Sequence, residues 1–278
     1  MSVSPFRALE ALLEDTARSG GTVSVWWSDL LGVRFARGAD VPHYAASTMK
    51  LPLVLAAMRR AARGELQLSA PVQVSNEFRS VADGSTYSLD PSEDEDPGTW
   101  AALGQTRTLL QLADHSLTHS GNLAANLLLE VVGLDEVARV LETVGCSPAT
   151  VVGRGIEDAP ARERGITNTV TAADLGLLMA AVGRRDTALG GPMVCAPVEA
   201  MLARAVDRSM IPAGLPGGVP CANKTGWVRG VAHDVCLVRP VYRPPFVLSV
   251  CTTTELSQAA GTALVASVSR EVWRVFTT

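Results

Sequence analysis

The stretch Lys50-Leu51-Pro52-Leu53-Val54-Leu55-Ala56-Ala57-Met58 most constrains what this chain can fold into. It is apolar nearly all round, so a helix built from it belongs inside the protein and shows solvent only its tip. Pro52 is tolerable within the first turn or so, where few backbone bonds are lost. Ser47 stands at that tip, three residues ahead of Lys50. Positions three apart share a helix face, roughly 5–6 Å between Cβ atoms, so the Lys50 amine can lie beside the Ser47 hydroxyl. A serine hydroxyl is a weak nucleophile until a neighbouring base takes its proton. A helix N-terminus also offers unpaired N–H groups and positive dipole to a developing oxyanion. The plain alternative is a helix start followed by a solvated lysine.

Lysine usage weighs against that alternative. Lysine and arginine total 24, yet lysine occurs only at Lys50 and Lys224, leaving 24 − 2 = 22 arginines. Arginine cannot release its proton near neutral pH, whereas lysine can when its surroundings lower its pKa. Both lysines are therefore candidates for work that arginine cannot do. The second opens Lys224-Thr225-Gly226, and between the two lies Ser120-Gly121-Asn122.

Ser-x-x-Lys, Ser-x-Asn and Lys-Thr-Gly, in that order along one chain, resemble the penicillin-recognising serine enzymes, most closely the class A β-lactamases. The likeness spans nearly the whole chain and is strongest over 45–58, 116–134 and 221–238. It implies an α/β (α+β) fold. An antiparallel five-stranded sheet would be flanked by terminal helices, a mainly helical lobe inserted, and the active site set between the two. On that pattern residues 1–278 form one catalytic domain, with a sheet lobe from about 1–45 and 211–278 and a helical lobe from about 46–210. The element reading agrees. Thr22–Trp27, Val33–Ala36, Lys224–Val228, Asp234–Arg239 and Phe246–Thr252 read as strands, with Lys224–Val228 at the edge. Helices are expected over Leu109–His119, Asn122–Val132, Asp135–Val144, Ala172–Val182, Pro197–Ser209 and Leu256–Phe276. Leu9, Leu12, Leu13 and Ala17 form an amphipathic stripe in the leading segment.

The resemblance also assigns roles. Ser47 would attack a carbonyl with Lys50 as proton acceptor; Ser120 and Lys224 would relay a proton to the leaving group and hold the substrate's acidic end. Thr225 adds a hydroxyl there, and Gly226 lets a substrate backbone come close. The N–H groups of Ser47 and Trp227 would receive the oxyanion, and Asn122 would hold a side-chain amide of the substrate. Glu157 falls about where a deacylating glutamate is expected, braced by Asn126. The water-holding asparagine of the family is absent, since that position is near Ala161. The same stretch also reads as a mixed-charge exposed loop of Glu157, Asp158, Arg162, Glu163 and Arg164. Arg229 reads either as a guanidinium for a substrate carboxylate or as an exposed strand residue. Gly121 replaces the acidic residue usual in this motif, which questions the rigidity of its loop, and Trp227 is bulkier than usual and narrows the pocket.

Other features carry less chemistry. His43, close to Ser47, reads as a structural loop histidine or as a catalytic base, a role Lys50 already fills, and His233 reads, like Arg229, as a group for a substrate carboxylate or as an exposed strand residue. His115 and His119 are spaced i,i+4 on one helix, but no third ligand stands at a motif spacing, so no metal and no cofactor are expected. Gly64–Thr108 reads as irregular and polar. Its Ser92-Glu93-Asp94-Glu95-Asp96-Pro97-Gly98 run lacks EF-hand spacing and reads as a solvated acidic loop. Tyr87 and Trp100 either shape the cleft or fill core. A formal net charge of −4 gives no basic footprint for nucleic acid or membrane. The expected partner is a small acyl substrate: a β-lactam, amide or ester. Five cysteines without paired short spacings read as buried free thiols. No leader with a basic start, apolar core and cleavage site is legible, so a cytoplasmic location is the expectation.

Overall fold

The computed structural model describes residues 5–278; the part of the leading segment at Met1–Ser4 lies outside them. Helix α1 (Arg7–Arg18) buries Leu9 and Leu13, and is followed by strands β1 (Thr22–Ser28) and β2 (Val33–Arg37). Strands β3 (Cys221–Val228), β4 (Val231–Val238) and β5 (Phe246–Thr253) come from the far end of the chain. All pair antiparallel in the order β3-β4-β5-β1-β2, so β3 is an edge strand. Every residue of β4 is buried and six of the seven in β1 are, because both faces of the sheet are covered.

The outer face carries Trp27, Phe246 and Leu248 against α1 and the C-terminal helix (Gln258–Thr277). The inner face carries Trp26, Val235, Leu237 and Val247, packed into the core of the helical lobe. That lobe is built on α2 (Lys50–Ala62), α3 (Leu109–Thr118), α4 (Asn122–Val132), α5 (Leu134–Val144), α6 (Ala172–Arg184) and α7 (Pro192–Leu202). Helix α2 is its axis, with Lys50 through Met58 all buried. No helix among the described residues is long and apolar enough to cross a membrane.

Two expectations need correction. The helix expected over Pro197–Ser209 is α7, which begins at Pro192 after Gly191 and encloses Pro197. It ends by Leu202 because the chain turns to α3, where Val206 N–H donates to Thr118 O at 2.9 Å. The acidic run 92–98 is solvated only in part: Ser92, Glu93, Glu95 and Pro97 are exposed, whereas Asp94 and Asp96 are not. Asp96 is 1% exposed and caps the short helix Pro97–Trp100, while Asp94 collects backbone N–H groups from another element. The surrounding segment is less irregular than expected, since Pro71–Gln73 pairs with Thr106–Thr108 and Phe78–Arg79 with Thr86–Tyr87.

Candidate active site

Ser47 sits in a single 3₁₀ turn, Ala46–Met49, that leads directly into α2. Lys50 is the first residue of α2 and is 0% exposed. Its Nζ donates to Ser47 Oγ at 2.9 Å, to Asn122 Oδ1 at 2.7 Å and to the Ser120 carbonyl. Burial drives the Lys50 pKa well below the usual lysine value, and the charge of Lys224 pushes the same way. The spacing of three residues thus does what helix geometry requires: it sets an amine of lowered basicity against the hydroxyl.

Ser120 joins the two lysines. Its Oγ accepts from Lys224 Nζ at 3.0 Å and lies 3.5 Å from Lys50 Nζ. Lys224 is 1% exposed, also donates to the Thr225 carbonyl at 2.7 Å, and is pushed down to about 8 by burial. Edge strand β3 runs against the 3₁₀ turn so closely that a Cβ on Gly226 would stand 2.8 Å from Thr48 N and 3.0 Å from Ser47 N. Only glycine permits that approach.

Glu157 enters from the loop below. Its φ is +59°, and Oε2 accepts the Asp90 N–H at 2.8 Å. Oε1 is buried and has no hydrogen-bond partner among the described residues. Burial raises the pKa of this carboxyl, and the charges of Asp90, Glu93 and Asp94 add to the rise. Asn126 holds the loop from both sides, donating to Ile156 O at 2.9 Å and accepting from Ile156 N at 2.8 Å. Nor is this stretch a free exposed loop. Asp158 is 0% exposed and accepts from Val81 N and Ala161 N, and Arg164 pairs with Asp83. Ala161 is fully buried, so no side-chain amide stands at its position.

Ser47, Ser120, Asn122, Glu157 and Asp158 line one cleft of about 350 Å³ together with Tyr44, Glu93, Glu95, Arg154, Arg162 and the exposed Trp227 and Arg229, while Lys224 and Thr225 line a neighbouring cavity that shares Ser120 and Glu95 with it. Five non-glycine described residues have positive φ: Leu30, Ala46, Ser120, Glu157 and Arg185. Three of them, Ala46, Ser120 and Glu157, line this cleft. Strained backbone gathers where geometry must be held against local preference.

Other candidates fall elsewhere. His43 bonds Ser24 Oγ and Thr253 Oγ1 through its two ring nitrogens, and burial lowers its pKa to about 4. His233 accepts from Thr252 N and donates to Tyr44 O, tying β4 to β5 and to the two-residue strand His43–Tyr44 that precedes Ser47. His115 pairs with Asp96, and no group of three metal-ligating side chains gathers among the described residues. Neither Tyr87 nor Trp100 lines the cleft. Both pack on the helical core, Tyr87 behind Gly155 and Asn126, and Trp100 with its Nε1 on Asp94.

Sequence reasoning missed Arg154, Asn168 and the carboxylates of Asp94 and Asp96. Asn168 accepts from Gly153 N and Arg154 N and returns a bond to Arg154 O, so it braces the other stem of the Glu157 loop. Asp94, Arg154 and Asn168 act on backbone groups 12 or more residues away, and Asp96 meets the His115 side chain 19 residues on; such long-range partners leave no residue-type signature.

A family model described as the beta-lactamase enzyme family matches residues 5–276. A curated β-lactamase of Bacillus licheniformis is 28% identical over 179 residues, covering 63% of this chain and 57% of that protein's length. Among solved structures, a β-lactamase from Xanthomonas campestris superposes with TM-score 0.84 at 22% identity, covering 100% of both chains. PBP-A superposes with TM-score 0.80 at 22% identity, covering 98% of this chain and 96% of its own. A β-lactamase from Sphaerobacter thermophilus gives TM-score 0.80 at 24% identity with 98% of each chain covered. At these identities the structural likeness is one of fold.

Proposed function

This chain belongs to the beta-lactamase enzyme family, and we propose that it opens a β-lactam amide through an acyl-enzyme on Ser47. The observation that carries this reading is the Lys50 amine, wholly buried and 2.9 Å from Ser47 Oγ. Ser47 Oγ attacks the carbonyl carbon as its proton passes to neutral Lys50. The N–H groups of Ser47 and Trp227 receive the oxyanion. The C–N bond then breaks, and the amine nitrogen takes the Ser120 hydroxyl proton, which Ser120 Oγ recovers from Lys50; Lys50 is neutral again, and Lys224 holds Ser120 Oγ and keeps its charge. Lys224 and Thr225 seat the carboxylate on the leaving side, with Arg229 at the cleft rim, and Asn122 holds the acyl-side amide. Glu157 next draws a proton from water as that water attacks the ester; the bond from the acyl carbon to Ser47 Oγ then breaks, and Ser47 Oγ takes up a proton by way of Lys50, with Glu157 giving back the one it drew.

A slowly deacylating penicillin binder is the second reading. It is favoured by buried Ala161, which leaves the deacylating water without a side-chain amide to hold it. Intact-mass spectrometry with benzylpenicillin separates the two. Rapid turnover with no lasting adduct supports the hydrolase, and a persistent adduct on Ser47 supports the binder. No adduct at all would move the site to an esterase, amidase or acyltransferase with another acyl donor. Glu157→Gln should leave acylation intact and trap the adduct; unchanged turnover would remove Glu157 as the base.

A further inference from the structure

Helix α4 begins at the second motif, yet its N-cap position is Gly121, which has no side chain to cap it. The cap comes from another segment. Asp94 Oδ1 accepts Asn122 N–H at 2.9 Å and Oδ2 accepts Leu123 N–H at 2.8 Å. Trp100 Nε1 fixes the same carboxylate at 2.8 Å, and Asn122 Nδ2 donates back to Glu93 O at 2.9 Å. Two residues on, the carboxylate of Asp96 occupies the space a side chain at 121 would fill: a Cβ there would lie 2.7 Å from Asp96 Oδ2. Asp96 is held by the Thr99 hydroxyl and by His115 Nδ1, and Gly121 N–H donates to the His115 carbonyl at 3.2 Å. Two charge-bearing residues, buried or half-buried, thus clamp the turn that carries Ser120 and Asn122.

We propose that Asp94 and Asp96 are positioning residues for Ser120 and Asn122, Asp96 supplying from the facing loop the carboxylate that Gly121 cannot. An anionic cap on a helix N-terminus satisfies orphan N–H groups and meets the positive end of the dipole. Here the cap also fixes two groups that touch Lys50: the Ser120 carbonyl and Asn122 Oδ1. Ser120 keeps its φ of +57° because the residues after it are tied down. The clamp carries charge as well. Lys224 faces Lys50 from β3 and lowers its basicity, while Asp94, Glu95 and Asp96 face it from the loop and oppose that effect.

The inference rests on Ser47 being the acylated residue, so the test has one arm that does not need activity. In the full chain, Asp94→Asn should slow Ser47 acylation by benzylpenicillin ~100-fold, the cost of a small misplacement of catalytic groups. The low-pH limb of the acylation profile should move to lower pH, because loss of an anion favours neutral Lys50; a purely structural defect would lower the amplitude and leave the limb in place. Gly121→Asp alone should slow acylation as severely, since its side chain meets Asp96. The double variant Asp96→Gly with Gly121→Asp should recover to within ~10-fold of the parent. Independently of turnover, hydrogen exchange at the Asn122 and Leu123 amides should quicken ~10-fold or more in Asp94→Asn. Exchange unchanged at both amides, or a double variant no better than Gly121→Asp alone, would overturn the inference. If the parent forms no adduct, the acyl-enzyme reading fails, and the exchange result still decides whether Asp94 holds the turn.

Discussion

Lys224 has to stay charged in a place that disfavours charge, and this sets a pH limit on the site. Burial brings its pKa from 10.5 to about 8, so the ammonium disappears as pH rises through about 8. The seat for a substrate carboxylate goes with it. For benzylpenicillin, kcat/KM should fall on the alkaline side with a midpoint near 8. Lys224→Arg cannot lose its proton, so it should act more slowly but lose that alkaline limb; a limb that persists would assign the titration to another group. The same shift is a stability statement. The unfolded lysine binds its proton more tightly than the folded one, so burial of Lys224 penalises folding below about 8, and the penalty fades as pH rises toward 10.5. Lys224→Met should therefore stabilise the fold at neutral pH by up to about 3 kcal/mol, less what the unpartnered Thr225 carbonyl and Ser120 hydroxyl cost. Urea unfolding across pH checks it: the gain should shrink as pH climbs.

At the scale of elements, the site is a meeting of an edge strand with a 3₁₀ turn. The contact is backbone to backbone, with Gly226 pressed on Ser47 N and Thr48 N. Gly226→Ala has to push β3 off the turn by several tenths of an ångström, moving Trp227 N–H relative to Ser47. Acylation should fall ~100-fold, while overpacking at an edge should cost only about 1 kcal/mol in denaturant unfolding. An acylation rate equal to the parent's would show that the two N–H groups do not work as a pair. This scale also shows what could be read from the sequence. Ser47 and Lys50 were legible because a helix fixes the geometry of residues three apart. The strands of the sheet and the start of α4 were legible from β-branched alternation and apolar periodicity. The clamp was not. Asp94 reaches Asn122 N–H across 28 residues of sequence, and a run of acidic residues looks the same whether it faces water or a helix N-terminus. The start of α7 was misplaced for a related reason: Pro192 and Pro197 both look like first-turn prolines, and only the burial of Val194 and Cys195 decides between them.

For the whole molecule, the cleft lies on the seam where the two ends of the chain, folded into one sheet, receive the helical insertion. Helix α6 holds that seam on the side away from the cleft. Gly176 lets it settle on β1 so tightly that a Cβ would come within 2.1 Å of the Trp26 ring. Trp26 is 5% exposed and wedged into the core, with little room to yield. Gly176→Ala should cost about 3 kcal/mol, near the upper end for overpacking a core. None of the residues lining the cleft belongs to α6. The Lys50–Ser47 and Lys224–Ser120 bonds lie within the 3₁₀ turn, α2, β3 and the Ser120 turn. The acylation rate of the folded fraction should therefore stay at the parent's value while the denaturation midpoint drops. Gly226→Ala should behave in the opposite way, keeping stability and losing rate. The pair tests whether stability and chemistry are carried by different contacts along one seam. If Gly176→Ala slows acylation in proportion to its loss of stability, the sheet–helix packing itself sets the geometry of Ser47, and the strand–turn contact alone does not.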